Sequence, residues 1–388
     1  MVVLAAGKAA AGMTRGALSV ASGGLVIGPA RVDDLPAAYE TIAGGHPSPD
    51  TRSEEAGRKA LALAESLTAG DTLLVLISGG ASALMVAPAD GVTLDEKRAT
   101  TDRLMREGAD IHALNTVRKH LSQIKGGWLA ARTRATTIAL AVSDVVGDDP
   151  SVIASGPTVA DASTFADARG VLRRFGGESI YPPAVIARLT RGAAGELAET
   201  PKPGDPRLAR AATTVIGSRR LAMRGAADEA RRLGYHVVEI DDAVVGEARD
   251  AAAAFVRDAR ARAADAPRPV AVIASGETTV HVKGKGKGGR NQEFALAASA
   301  GRVLSDPANG AIAFALASVG TDGVDGPTDA AGAMADATTL DRARAAGLDP
   351  QQYLDDNNVY AFFNALGDLI HTGPTGTNVG DLQLILLA

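Results

Sequence analysis

Residues 72–84 read TLLVLISGGASAL: an apolar run from Thr72 to Ile77, the turn Ser78-Gly79-Gly80, and then small residues able to open a helix. A run this apolar has no polar face, so it predicts a strand buried on both sides, the usual condition of a parallel sheet. The same grammar recurs at Val2–Ala6 before GKAA, at Thr136–Val142 before SDVVGDDP, and at Ala311–Ser318 before VGTDGVDGPTDA. Further short runs stand at Leu25–Gly28, Thr213–Ile216, His236–Ile240, Val270–Ala274, Thr278–Val282 and Gln383–Leu387, most of them separated by helical patterns. Parallel strands need crossover connections, so the predicted class is α/β with a mainly parallel sheet, and ligands are expected at the carboxyl ends of its strands. The glycine-rich and acidic turns sit at those ends.

The chain has 388 residues, enough for two domains at roughly 100–200 residues each. The stretch ETPKPGDP, residues 199–206, is the best linker candidate, which predicts domains over 1–203 and 204–388. A net charge of −5 gives no broad attraction to nucleic acid or an anionic membrane, so any anion site is local. The absence of cysteine excludes disulfides, thiolate catalysis and sulfur-ligated zinc. No apolar run approaches the roughly 20 residues of a membrane helix, and no secretory leader pattern opens the chain, so a cytoplasmic location is expected.

Lys283–Glu293, KGKGKGGRNQE, places Gly284, Gly286 and Gly289 at G-x-G-x-x-G spacing between an expected strand and an expected helix. Glycines admit an anion close to the backbone, and a helix start offers unpaired N–H groups, so phosphate affinity is the inference. Lys285 and Lys287 among Gly286 and Gly288 suit a triphosphate better than a dinucleotide, and Asp306, in an expected surface turn, is no ribose-binding acid. Arg290 offers a fixed cation, and Asn291 and Glu293 are candidate substrate contacts. Lys8 follows the first strand. Ser78, Gly79, Gly80 and Ser82 offer hydroxyl and N–H donors to phosphate, although no Walker sequence or G-x-S-x-G elbow is present. His46, in the rigid loop GGHPSPD, could hold a small substrate's carboxylate or hydroxyl. Asp144 and Asp322 could hold Mg²⁺, which takes one or two carboxylates with phosphate oxygens and water, although Asp-Gly pairs are also ordinary turn chemistry.

Together, LAAGKAA, GGHPSPD, LISGGASAL, LNTVRKHLSQIKGG, AVSDVVGDDPSVIASGPT, SGETTVHVKGKGKGGRNQE, SVGTDGVDGPTDAAGA and TGPTGTNVGDLQ resemble, in this order, the glycerate 2-kinase family that ends in the MOFRL domain. The resemblance covers nearly the whole chain. It implies a larger Rossmann-like α/β domain, a smaller MOFRL domain, an interdomain cleft, and ATP- and Mg²⁺-dependent phosphorylation of D-glycerate at its 2-hydroxyl. It implies catalytic importance for Lys8 and Arg290, cations suited to charge on a transferring phosphoryl group, and it is compatible with a homodimer. Relatives usually carry a further helical segment before the strand that holds Lys8, so the start at Met1 is expected to be internal. Where relatives commonly have Asn, this chain has Arg219.

Two other readings use the same residues. A reductase of hydroxypyruvate or tartronate semialdehyde dependent on NAD(P) would use the G-x-G-x-x-G spacing. A nonenzymatic nucleotide- or anion-binding relative would keep the fold without the chemistry.

Overall fold

The computed structural model describes residues 1–301 and 313–388. The chain divides into two compact units, Met1–Ile216 and Gly217–Ala388.

The first unit is built on strands β1 (Val2–Ala6), β2 (Gly24–Gly28), β3 (Tyr39–Ala43), β4 (Thr72–Ile77), β5 (Thr136–Val142) and β6 (Ala211–Gly217). Their order is β3-β2-β1-β4-β5-β6, and the registers joining β1 to β5 are all parallel. The chain moves outward from β1 to β3 and then returns to place β4 on the other side of β1. The loops after β1 and β4 therefore lead away in opposite directions, leaving a crevice at their carboxyl ends.

Alternate residues of the strands face opposite layers. Leu4, Ile27, Leu73 and Val75 pack with Ala56, Ala60 and Ala64 of the helix Thr51–Ser66, while Val3, Ala5, Leu74 and Leu76 pack with Ala10 and Ala17 of the helix Ala10–Ala17. Small helix residues bring those backbones close to the sheet. A third cluster joins Leu104, Leu114, Val117, Phe165, Leu172 and Val185, away from the sheet strands.

The first unit extends past the expected boundary at 203/204 because β6 lies beside β5 in its sheet. The proline-rich stretch before β6 is also tied down: Thr200 Oγ1 donates to the buried Asp161 carboxylate at 3.0 Å, and Lys202 bonds Ser163 and Glu199. The prolines bend a segment whose polar groups are already partnered, so it does not behave as a linker.

The second unit holds a seven-stranded mixed sheet. β7 (His236–Glu239) and β8 (Val244–Glu247) run parallel to β9 (Val270–Thr279); β9, β13 (Asp381–Leu387), β10 (Phe314–Gly320), β11 (Gly332–Asp336) and β12 (Leu369–Ile370) pair antiparallel in that sequence. The two expected strands Val270–Ala274 and Thr278–Val282 are one strand as far as Thr279. Of the expected strand Ala311–Ser318, residues 311 and 312, like Asp306, lie outside the described residues. Phe255, Phe294, Phe362 and Phe363 centre the core between this sheet and its helices. Among the described residues no helix is long and apolar enough to cross a membrane.

Candidate active site

At the crevice between β1 and β4, two turns lock into each other. Lys8 N donates to Gly79 O at 2.9 Å, and Ala9 N donates to Ser78 Oγ at 2.9 Å. Gly7 takes φ +128°, and a Cβ there would overlap Ser78 Oγ, so the Lys8 turn tolerates no side chain at its hinge. Gly80 takes φ +84° just ahead of the short helix Ala81–Leu84. A Cβ on Gly80 would meet His46 Nε2 at 3.1 Å and Lys8 Cγ at 3.5 Å, which places the histidine and the lysine stem over this bare backbone.

His46 is held there by its own loop. Asp50 caps the helix Thr51–Ser66 by accepting from Ser53 N, Ser53 Oγ accepts in return from Asp50 N, and Gly45 N donates to both side chains. This capping box fixes the end of GGHPSPD against the helix. Partial burial and the neighbouring Lys8 lower the His46 pKa, so its imidazole is neutral at pH 7. Lys8 itself is exposed.

Asp144, after β5, closes the group from the other side, where a Cβ on Gly79 would overlap Asp144 Oδ2. Gly79→Ala should therefore push the Asp144 carboxylate aside. We expect kcat to fall about tenfold or more with only a small loss of Tm, which turnover and thermal melting on the same sample will check. Lys8, His46, Ser78, Gly79, Gly80 and Asp144 thus form one cluster at one sheet edge. Ser82 is turned away from it, toward Ser155 and Lys125.

The second unit gives a different result for KGKGKGGRNQE. Its backbone donors are already engaged: Lys283 N and Gly284 N donate to Asn357 Oδ1, Lys285 N to the Asp356 carboxylate, Gly286 N to Asp356 O, and Lys287 N to Asn358 Oδ1. The glycines serve this ladder, since a Cβ at Gly284, Gly286 or Gly288 would overlap residues 356–359. At the start of the following helix, Arg290–Ala300, the Asp325 carboxylate accepts from Asn291 N at 3.0 Å and Gln292 N at 2.9 Å. A protein carboxylate occupies the anion position that sequence spacing assigned to phosphate. The side chains of Lys285 and Lys287 stay on the outside of this ladder, and Lys287 Nζ lies 4.5 Å from the centre of the Tyr360 ring.

Arg290 is similarly engaged. Its Nε and Nη2 donate to Asp381, at 2.7 and 3.0 Å, and its Nη1 donates to Glu277 at 2.8 Å. Burial opposes its charge, but Asp381 and Glu277 more than offset this and raise its pKa. Asn291 and Glu293, read from the sequence as substrate contacts, are both buried and already partnered: Asn291 bonds Asp325 and Ser318, and Glu293 pairs with Arg249 at 2.6 Å and accepts from Asn357. They fix the helix and the loop ladder. Asp322 lies in the second unit, where its carboxylate accepts from Val324 N as a turn residue. Arg219 is buried with its fork on Ser275 Oγ and Asp241 O.

Burial and nearby Asp381 push the Asp325 pKa up to about 6, despite the N–H donors it accepts. A carboxyl whose folded pKa lies above its unfolded value stabilises the fold most at low pH and loses that contribution as pH rises through the folded value. Between about pH 5 and about pH 7.5, wild type should lose about 1 kcal/mol more stability than Asp325→Asn, measured by urea unfolding at both pH values.

Among the described residues no group of three or more His, Asp or Glu could hold a metal ion. An ion that draws most ligands from phosphate and water needs only one or two carboxylates, and Asp144 beside the Gly79 turn offers one.

A parallel sheet with a cation, a glycine turn and a carboxylate at its switch point, joined to a second α/β unit with no conventional phosphate loop, defines a Rossmann-like phosphate-handling enzyme outside the Walker class. Comparison with known proteins makes the assignment specific. Residues 1–190 match a domain of unknown function (DUF4147), and residues 270–381 match the MOFRL family. D-glycerate 2-kinase of Thermotoga maritima is 40% identical over 402 residues, covering 100% of this chain and 90% of that protein. A crystal structure of glycerate kinase from the same organism superposes with a TM-score of 0.89 at 40% identity, covering 100% of this chain and 91% of the other. An Agrobacterium vitis protein provisionally named hydroxypyruvate reductase is 40% identical over 354 residues, covering 90% of this chain and 77% of that one. The chain belongs to the glycerate kinase family with a C-terminal MOFRL domain.

Proposed function

We propose that this enzyme transfers the γ-phosphoryl group of ATP to the 2-hydroxyl of D-glycerate, with Lys8 as the cation at the reacting phosphate. ATP-dependent phosphorylation of glycerate is the activity of the family, and the position, stereochemistry and residue roles are our reading. The supporting observation is the placement of Lys8 and neutral His46 over the bare backbone of Gly80 at the sheet's switch point. In the step, the glycerate 2-oxygen bonds to the γ-phosphorus, the bond from that phosphorus to the β,γ-bridging oxygen breaks, and ADP leaves with the bond's electron pair. Lys8 Nζ stabilises charge on the phosphoryl oxygens, and the His46 ring, uncharged, orients the hydroxyl and accepts its proton as the new bond forms. Asp144 would hold Mg²⁺ on the phosphates, where the ion neutralises charge on the oxygens it binds. Arg290, fixed by Asp381 in the second unit, is the other cation whose loss we expect to cost turnover. We place the reaction in the cytoplasm, where ATP is available and a cysteine-free chain has no use for an oxidising compartment.

The reductase reading is disfavoured because residues 283–287 of the G-x-G-x-x-G segment spend their backbone donors on residues 356–358, and Asp325 takes the helix-start donors that a pyrophosphate would use. Purified protein given D-glycerate, ATP and Mg²⁺ should release ADP and leave NADH untouched when offered hydroxypyruvate. NADH oxidation without ADP release would reverse the assignment.

A further inference from the structure

The first unit carries a second group of cations that the reaction above does not use. The segment Leu114–Gly127, LNTVRKHLSQIKGG, sets two of them against the turn at Ser82. Lys125 Nζ donates to Ser82 Oγ at 2.7 Å and to Ser82 O at 3.0 Å, and Arg118 Nη2 approaches the same carbonyl at 3.4 Å. Lys97, from the helix Leu94–Arg106, donates to the carbonyls of Arg118 and Leu121 at 3.1 and 2.7 Å. Among the described residues no carboxylate pairs with any of the three.

Gathering like charges where water is scarce is costly unless an anion joins them. Burial and the neighbouring cations push Lys97 and Lys125 well below the ordinary lysine range, and burial brings Arg118 down to about 10. Arg118 keeps most of its planar fork unused, having five N–H donors and one long bond.

Lys97, Arg98 and Arg118 line a cavity of about 280 Å³ that also reaches Ser82. Arg98 Nε is buried and, among the described residues, has no hydrogen-bond partner. The rest of the lining is largely apolar, with Pro49, Val86, Met105 and Leu114, and Asp102 supplies the single acid. The cavity therefore fits a molecule with an apolar body and an anionic end. Glycerate has no apolar part to set against Val86, Met105 and Leu114. A nucleotide has both parts, and a volume near the lower end of ligand pockets, roughly 300–1,000 Å³, suits its base and ribose with the phosphates leading out. The cavity shares two segments with the Lys8 cluster, since Pro47 follows His46 and Ser82 lies two residues beyond Gly80.

We propose that this cavity seats the ATP molecule, with its base against Val86, Met105 and Leu114 and its phosphates on Arg118 and Arg98 on their way to Lys8. The assignment rests on reading the chain as an ATP-dependent kinase. It makes Arg118 a nucleotide-binding residue that sequence spacing alone does not single out.

The test is the steady-state kinetics of Arg118→Gln and of Met105→Glu, the latter an exposed helix position where glutamate keeps the helix but opposes an apolar base. Titration calorimetry with the imido analogue of ATP accompanies both. KM for ATP should rise about tenfold or more in each variant, with matching loss of analogue binding, while KM for D-glycerate stays within about twofold. A rise in the glycerate KM alone would make the cavity the acceptor's site and overturn the proposal, as would unchanged ATP values in both variants. If wild type binds the analogue with this dependence but does not phosphorylate glycerate, the activity reading falls and the cavity assignment stands. If wild type phosphorylates glycerate and neither variant alters ATP, the cavity assignment falls alone.

Discussion

Lys8→Met should lower kcat by about a hundredfold or more while leaving Tm within about 2 °C of wild type. The lysine is exposed, and its turn is held by backbone bonds from Lys8 N to Gly79 O and from Ala9 N to Ser78 Oγ that methionine leaves intact. What is removed is a positive charge at the carboxyl edge of the sheet. Phosphoryl transfer depends chiefly on positioning and electrostatic stabilisation, and loss of one donor to developing charge costs about 2.7–4 kcal/mol. KM for ATP and glycerate should move much less than kcat, because the interaction strengthens as the transition state forms. Equal loss of kcat and thermal stability would instead make Lys8 a structural residue.

Arg290→Gln should behave differently, and the structure gives the reason. From sequence alone both cations look like catalytic side chains whose removal spares the fold. Arg290, however, is bidentate to Asp381, whose side chain is 0% exposed, and pairs with Glu277. Removing the arginine strands a buried carboxylate beside Asp325, itself shielded and already raised in pKa. Breaking a buried pair by deleting one partner costs about 3–5 kcal/mol, reduced here toward about 3 because Arg290 retains some solvent contact. We expect a marked drop in Tm together with lost turnover. Arg290→Gln with Asp381→Asn should recover most of the stability and little of the activity; recovery of both would remove Arg290 from the catalytic set.

The parts of the fold legible in the sequence are those with a local signature. Thr72–Ile77 and Val2–Ala6 are apolar throughout because both sheet faces are covered, and the turns after them carry glycine because Gly7 and Gly80 take positive φ. Tyr39–Ala43 escaped because YETIA has two polar residues in five, and Gly332–Asp336 because its alanines signal no strand. The antiparallel pairing of β13 with β9 and β10 depends on contacts far apart in the chain, which periodicity does not carry.

The site divides along the same line. Lys8, His46 and the Gly79-Gly80 turn could be proposed because each follows a strand or sits in a rigid loop. KGKGKGGRNQE does not by itself reveal how its backbone is used, since only the fold shows that Asp325 fills the helix start and that residues 356–358 take the donors of residues 283–287. Arg118 and Lys125 stand in LNTVRKHLSQIKGG, which is part of the family resemblance but whose spacing gives neither residue a role. Their importance appears only when Ser82 is brought against them.

The most direct test of the account is enolase-coupled turnover of wild type and Lys8→Met, side by side, with D-glycerate, ATP and Mg²⁺, because enolase accepts 2-phosphoglycerate as it is formed. Wild type should give a signal that matches ADP release one for one, and an equally stable Lys8→Met protein a signal lower by about a hundredfold or more. ADP release that yields no enolase substrate, or undiminished turnover in the variant, would contradict the proposed reaction.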